Sequence, residues 1–221
     1  MDPTLKTVRL FGEHAEAYAL KYADVGRYKP SLDHFLALMP MGAHVLELAC
    51  GPGNVTRYLI DQRPDLRLLA TDLAPEMVDV ARRSVPEVEH KLMDMREVGT
   101  LGPAFHGVVC AFGLPYLDQQ AAARFIRDAA SVLLPGGALY LSTMEDEPAK
   151  SGWEGPSKDR QVLMNYHLGK DLDTVLRSVG LWPRYEQRAS YISAHGTAVT
   201  DVMLVCSKGV SSGDQARTNG S

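Results

Sequence analysis

The chain is poor in the residues that define several protein classes. Only 3 of its 221 residues are cysteine, namely Cys50, Cys110 and Cys206, an odd number set far apart. That excludes a disulfide scaffold. No Cys-x-x-Cys or His-x-x-x-His spacing occurs, so no metal site is expected. No run approaches the length of continuous apolar sequence needed to cross a membrane, and no membrane is an expected partner. Met1 to Lys6 lacks the apolar run of a secretory signal, and with unpaired thiols the expected location is cytoplasmic. An excess of one charge is also missing. The 23 Lys and Arg against 27 Asp and Glu leave a net charge of −4, so no nucleic acid is expected as a partner. What remains, 45% apolar and 23% charged, is an ordinary globular composition. A chain this long can bury roughly 70% of its unfolded surface.

Short apolar runs alternate with helix-like segments. His44–Leu48, Arg67–Asp72, Val88–Asp94, Gly107–Phe112 and Ala138–Thr143 suit buried parallel strands. Between and after them lie helical patterns over Asn54–Gln62, Pro75–Arg83, Gln119–Leu133 and Lys170–Val179, the last stopped by Gly180. Arg184–Ile192 and Thr197–Ser207 then flank Ser193–Gly196 as a hairpin. The alternation predicts an α/β fold, a doubly wound, seven-stranded, mostly parallel sheet with a C-terminal antiparallel hairpin. Ahead of the first strand, Phe11–Tyr22 and Ser31–Met39 read as two helices.

The strongest local signal is the stretch Glu47-Leu48-Ala49-Cys50-Gly51-Pro52-Gly53-Asn54, a strand end, a turn with two glycines and a helix start. Such a turn presents backbone N–H groups to a ligand. A dinucleotide-binding turn asks for a third glycine where Thr56 stands, and Glu47 would repel a pyrophosphate. Glu47 would instead attract an amine-bearing ligand. Asp72 ends the second strand and can grip two ribose hydroxyls. Asp94 ends the third and can accept from an adenine amino group. Each acid alone could be a turn or strand-end residue. Together with the glycines they fall at the carboxyl ends of neighbouring strands.

Taken in order, these motifs resemble the class I S-adenosylmethionine-dependent methyltransferases, of the small-molecule type with an N-terminal helical lid. The resemblance is completed by Asp72-Leu73-Ala74-Pro75-Glu76-Met77, Asp94-Met95-Arg96-Glu97, Ala111-Phe112-Gly113-Leu114-Pro115-Tyr116-Leu117 and Leu134-Pro135-Gly136-Gly137. It implies residues 1–42 as the lid, 43–208 as the S-adenosylmethionine-binding domain and 209–221 as a loose tail. It implies that Gly51 and Gly53 pass under the methionine part of the cofactor and that Glu47 holds its amino group through water. Asp72 would bind the ribose, Leu73 and Met77 would sandwich adenine, and Asp94 with Met95 would read its amino edge. Phe112 would line the methyl channel. The first and fourth strands would be neighbours, placing Cys50 and Cys110 beside the site, where alkylation would weaken cofactor binding.

The expected acceptor is a small molecule. Tyr18, Tyr22 and Tyr28 are the lid candidates, the first two sharing a helix face. His167 is the candidate general base, with Tyr166 beside it. The segment Met144 to Trp153 reads as a long acidic loop on the acceptor side. Gly113 lacks the polar side chain that nucleic-acid amino methyltransferases carry there, and Asp118 is the one acid close by, too few for a divalent metal. A module that binds the cofactor without methyl transfer is the alternative, a nucleic-acid or protein methyltransferase the next, and a nicotinamide oxidoreductase a third class.

Overall fold

A computed structural model describes residues 3–193 and 196–209. The centre of the predicted hairpin turn and the tail beyond residue 209 lie outside the described residues. Three helices come first, α1 (Pro3–Glu13), α2 (Ala15–Lys21) and α3 (Lys29–Ala37). The sequence predicts one helix over Phe11–Tyr22. The chain instead breaks at His14, whose φ of −121° and ψ of 16° leave the helical region. Then β1 (His44–Leu48), α4 (Asn54–Gln62), β2 (Arg67–Asp72), α5 (Pro75–Ser84), β3 (Glu89–Leu92), β4 (Phe105–Ala111), α6 (Gln119–Val132) and β5 (Leu133–Met144) alternate. A small pair follows, β6 (Gly152–Glu154) and β7 (Val162–Met164), then α7 (Gly169–Ser178), β8 (Leu181–Ile192) and β9 (Ala198–Lys208).

The predicted seven-stranded sheet is present, in the order β3-β2-β1-β4-β5-β9-β8. It is parallel from β3 to β5, and β9 and β8 add antiparallel. Successive strands step away from β1 toward β3, and then from β4 toward the other edge. The reversal between β1 and β4 leaves a crevice at their carboxyl ends, where ligands of such sheets sit. The sheet is held from both sides. Phe125 and Ile126 of α6 are buried in the cluster on one face, Leu32 and Phe35 of α3 with Leu59 of α4 in the cluster on the other. At Gly107 of β4 a Cβ would come within 2.6 Å of Phe35 and 2.7 Å of Met39, so glycine lets α3 press directly on the strand.

Two further elements differ from the sequence reading. The third strand ends at Leu92 rather than Asp94, because Asp94 turns back to accept from Arg96 N at 2.9 Å and caps a 3₁₀ turn over Met95–Leu101. The segment after β5 is not one loop. Within it Trp153 of β6 pairs with Leu163 of β7, and Lys6 of α1 sits over the Trp153 ring at 4.6 Å. Strands of three residues carry too little alternation to be read from sequence.

Phe125 fills the interior between α6 and the sheet at 1% exposure. Replacing Phe125 with alanine is expected to cost about 3–5 kcal/mol of unfolding free energy in urea melts, the range for a buried phenylalanine. A cost below about 1 kcal/mol would contradict this placement of α6.

Candidate active site

A cavity of about 440 Å³ opens at the carboxyl ends of the parallel strands. Its floor is the turn after β1. Ala49, Gly51 and Gly53 all take positive φ, at 53°, 56° and 88°. For Ala49 this costs about 1–2 kcal/mol relative to glycine. Gly51 borders the cavity, and the space where its Cβ would stand is open. Gly53 faces the other way. Its Cβ would meet Ala81 of α5 and Val85 just past the end of that helix at 3.3–3.4 Å, and it does not line the cavity. The second glycine therefore serves the left-handed entry to α4 and its packing on α5.

Three acids stand along this floor. Glu47, at the end of β1, is 1% exposed and touches the cavity. Among the described residues its carboxyl has one hydrogen bond, from the Thr56 hydroxyl at 2.6 Å. Burial pushes its carboxyl up to about 8, against the Thr56 hydrogen bond and with the Asp72 charge adding to the rise. Thr56 was singled out in the sequence only for not being glycine. A hydroxyl one turn into α4 and facing a buried acid was the signal available. Asp72 accepts from Gly51 N at 2.8 Å and from Ala74 N at 2.9 Å, which ties the β1 and β2 turns together. Burial raises its pKa, and these backbone donors oppose the rise. Asp94 reaches the cavity while paired to the Arg96 guanidinium at 2.6 Å. Leu73, Met77 and Met95 line the wall between these acids.

The opposite wall is aromatic. Phe11 of α1 stacks edge-on against Tyr18 of α2 and against Tyr116, and Tyr18 leans on Tyr22 at 4.4 Å. Tyr28 stands apart from these two, with its ring 5.0 Å from Phe112 at the end of β4. Phe112 is the second non-glycine residue with positive φ, at 56°, and Ser142 of β5 accepts from its N–H at 3.1 Å. Gly113 beside it has no room for a side chain, since a Cβ would lie 2.6 Å from Cys110 Sγ. Helix α2 is fastened over the floor by Asn54 Nδ2 donating to Ala19 O at 3.3 Å and by the ion pair of Glu16 with Arg83.

The structure does not bring His167 or Tyr166 to this cavity. His167 is fully buried, and its Nε2 lies 3.1 Å from the carbonyl oxygens of both Leu114 and Leu117. Carbonyls only accept, so Nε2 carries the proton and the ring pins the turn after β4. Burial lowers its pKa and keeps it neutral. The Tyr166 hydroxyl donates to Glu154 at 2.7 Å, toward the β6–β7 pair. Asp118 is spent as the cap of α6, accepting from Ala121 N at 2.8 Å. Among the described residues no cluster of His, Cys, Asp and Glu could hold a metal ion.

Residues 45–137, which run from β1 into β5, match the family described as "Methyltransferase domain". This segment is similar to that family. The resemblance to the class I S-adenosylmethionine-dependent enzymes drawn from the motifs is upheld by that match and by the fold. A "Ubiquinone biosynthesis O-methyltransferase" of Xanthomonas campestris pv. campestris (strain B100) is 35% identical over 124 residues, 53% of this chain and 50% of the relative. The chain thus matches about half the length of such curated relatives. Among solved structures, the Burkholderia thailandensis 1,6-didemethyltoxoflavin-N1-methyltransferase, with its ligand and S-adenosylhomocysteine bound, has a TM-score of 0.68 at 20% identity, covering 93% of this chain and 88% of that one. A Methanosarcina mazei S-adenosylmethionine-dependent methyltransferase has a TM-score of 0.67 at 16% identity over 79% and 96%. A cyclase shares the fold at a TM-score of 0.63 and 16% identity over 80% of each chain. The likeness to these structures is one of fold.

Within this segment, Cys50 lines the cavity and Cys110 is fully buried. Burial raises the Cys50 thiol well above its usual range and pushes Cys110 up to about 12. Cys206 on β9 is likewise buried and pushed up to about 12. The thiolate is the reactive species, so none of the three should be fast. A disulfide reagent at neutral pH is expected to find no rapidly reacting thiol in the native protein and all 3 cysteines in denaturant. A burst of labelling in the native protein would contradict the burial of Cys50.

Proposed function

We propose that this chain is an S-adenosylmethionine-dependent methyltransferase acting on a small, flat, aromatic acceptor. The observation that carries the reading is Glu47, a buried carboxyl that opens on the cavity and has no cationic partner among the described residues. An α-ammonium group is the partner that such a carboxylate lacks, and a pyrophosphate is not. When bound, S-adenosylmethionine supplies a methyl group already activated on its sulfonium.

The residues around Glu47 suit the rest of that molecule. Gly51 leaves open space at the turn for the backbone to approach a ligand. Asp72 keeps unused lone pairs on both oxygens for two ribose hydroxyls. Leu73 and Met77 offer apolar surface for adenine, with Asp94 and the backbone of Met95 at its amino edge. Tyr18 and Tyr22 close the cavity from the N-terminal helices, which exclude water and hold the reactants in line.

The acceptor side is formed by Tyr28, Phe112, Met144, Met164 and Tyr191, an apolar and aromatic surface. That surface, together with the O-methyltransferase name carried by the 35% identical relatives, favours a ring bearing a hydroxyl. An open cavity next to Phe112 favours transfer over a module that only binds the cofactor, and Tyr140, buried beneath it, leaves that space free. The segment after β5 contributes Val162 and Met164 to the wall without filling the cavity.

Calorimetric titration tests the cofactor. S-adenosylmethionine and S-adenosylhomocysteine should bind and NAD should not. Asp72→Ala should weaken binding by about 2–4 kcal/mol, the loss of two charge-assisted hydrogen bonds. Binding of NAD alone, or unchanged affinity in Asp72→Ala, would overturn this assignment.

A further inference from the structure

The acceptor side holds one buried acid that the cofactor reading does not use. Asp201 sits on β9, opposite Met144 of β5 and Ala189 of β8, with its side chain wholly buried. A carboxylate taken out of water needs partners. The Tyr28 hydroxyl donates to Asp201 Oδ2 at 3.1 Å, and Arg27 Nη1 lies 4.0 Å from the same oxygen. Tyr191 of β8 faces the carboxylate, and the Arg27 guanidinium lies over the Tyr191 ring at 4.0 Å. Tyr140 of β5 is the remaining titratable group facing it, and its hydroxyl lies 3.3 Å from Ser31 Oγ. Asp201 Oδ1 has no hydrogen bond among the described residues.

Two of these residues, Tyr28 and Tyr191, line the cavity, and Tyr28 lies against Phe112 where the methyl group must pass. No histidine lines the cavity among the described residues. The other acids that do, Glu47, Asp72 and Asp94, are on the cofactor side. A hydroxyl acceptor is a weak nucleophile until it gives up its proton, and of the two cavity tyrosines that face Asp201, Tyr28 is the one that lies against Phe112 and donates to the carboxylate at 3.1 Å.

We propose that Tyr28 and Asp201 form a proton relay that activates an aromatic hydroxyl acceptor. The inference rests on the methyltransferase reading above. The acceptor hydroxyl hands its proton to Tyr28 Oη as the Tyr28 proton passes to Asp201 Oδ2. The O–H electron pair becomes the new O–CH₃ bond, and the electron pair of the broken C–S bond stays on sulfur. The net products are the methyl ether, the thioether and a neutral Asp201 carboxyl. Tyr28 touches the acceptor and is the catalytic residue. Asp201 acts through it and is the positioning residue and proton sink. Burial raises the Asp201 pKa against the Tyr28 hydrogen bond and the Arg27 charge, which suits a group that must take a proton. Burial, with the Asp201 charge adding, raises that of Tyr28, so the phenol stays protonated between turnovers.

Methyl transfer from labelled S-adenosylmethionine to catechol and to 4-nitrophenol tests the relay, with S-adenosylhomocysteine affinity measured on every variant. The wild type should methylate at least one of them. Tyr28→Phe keeps the ring on Phe112 and removes only the hydroxyl. Asp201→Asn removes only the proton sink. Both should lower kcat by about 100-fold or more, with KM changed by less than about threefold, and both should abolish the acid limb of the pH–rate profile. Asp201→Glu should restore part of the rate. S-adenosylhomocysteine affinity should be unchanged in Asp201→Asn. If that variant fails to fold, Tyr28→Phe decides alone. A kcat within about threefold of wild type in Tyr28→Phe, or an unaltered acid limb, would overturn the relay. So would tight S-adenosylhomocysteine binding with neither phenol methylated. Failure to bind S-adenosylhomocysteine at all would instead overturn the cofactor reading on which the relay rests.

Discussion

Glu47, next to last in the central strand β1, holds its carboxyl out of water with one hydroxyl as its hydrogen-bond partner among the described residues. An acid so placed is costly to ionise, and the rise of its pKa to about 8 measures that cost. At neutral pH the group is mostly neutral until a cation arrives. Much of the surrounding geometry follows from leaving room for that cation. The chain after β1 must turn away sharply, which is why Ala49, Gly51 and Gly53 all adopt left-handed backbone within five residues. The turn must also be rigid, and Asp72 holds it by accepting from Gly51 N while anchoring its own loop through Ala74 N. Thr56 supplies the one protein hydrogen bond that keeps the Glu47 side chain aimed.

The cavity then divides by chemistry. Its floor at β1, β2 and β3 is acidic, with carboxylates spaced for a polar, amine-bearing and hydroxyl-bearing molecule. Its far wall at β4 and β5 is aromatic and sulfur-rich, suited to a flat apolar partner. Between the two stands Phe112 in a strained backbone conformation held by Ser142. Strain kept at such a point, where two ligands would meet, is consistent with a site whose spacing matters. The cyclase that shares this fold is a reminder that the sheet alone does not choose the reaction; the side chains on its carboxyl ends do.

The sheet was legible because buried parallel strands are short continuous apolar runs, and here each of the first two ends in a ligand-grade turn or an acid. The positions of Glu47 and Asp72 on the cavity floor were legible for the same reason, while the turn-holding bonds of Asp72 and the cap made by Asp94 were not. Other features depend on contacts that sequence does not display. Gly53 looked like its neighbour Gly51 but answers to Ala81 of α5 and Val85 just beyond it. His167 looked like a base because imidazole titrates near neutrality, yet two carbonyl groups of a turn some fifty residues earlier hold it as a neutral donor. Asp201 went unread because β9 is buried on both faces over most of its length, so an acid in it matched no alternating pattern. Its partner Tyr28 is 173 residues away in the chain.

The account stands on Glu47 as the carboxyl that receives a cofactor's ammonium group. If so, binding at neutral pH must drive a proton off an acid whose pKa is about 8, since the ionised form alone pairs with the cation. Calorimetry of S-adenosylhomocysteine binding at pH about 7, in two buffers of different ionisation enthalpy, reads that proton directly. The wild type should release close to one proton per site, affinity should rise with pH until it flattens above about 8, and Glu47→Gln should lose both effects. Binding with no buffer dependence, or a Glu47→Gln protein that behaves as the wild type, would contradict the central claim.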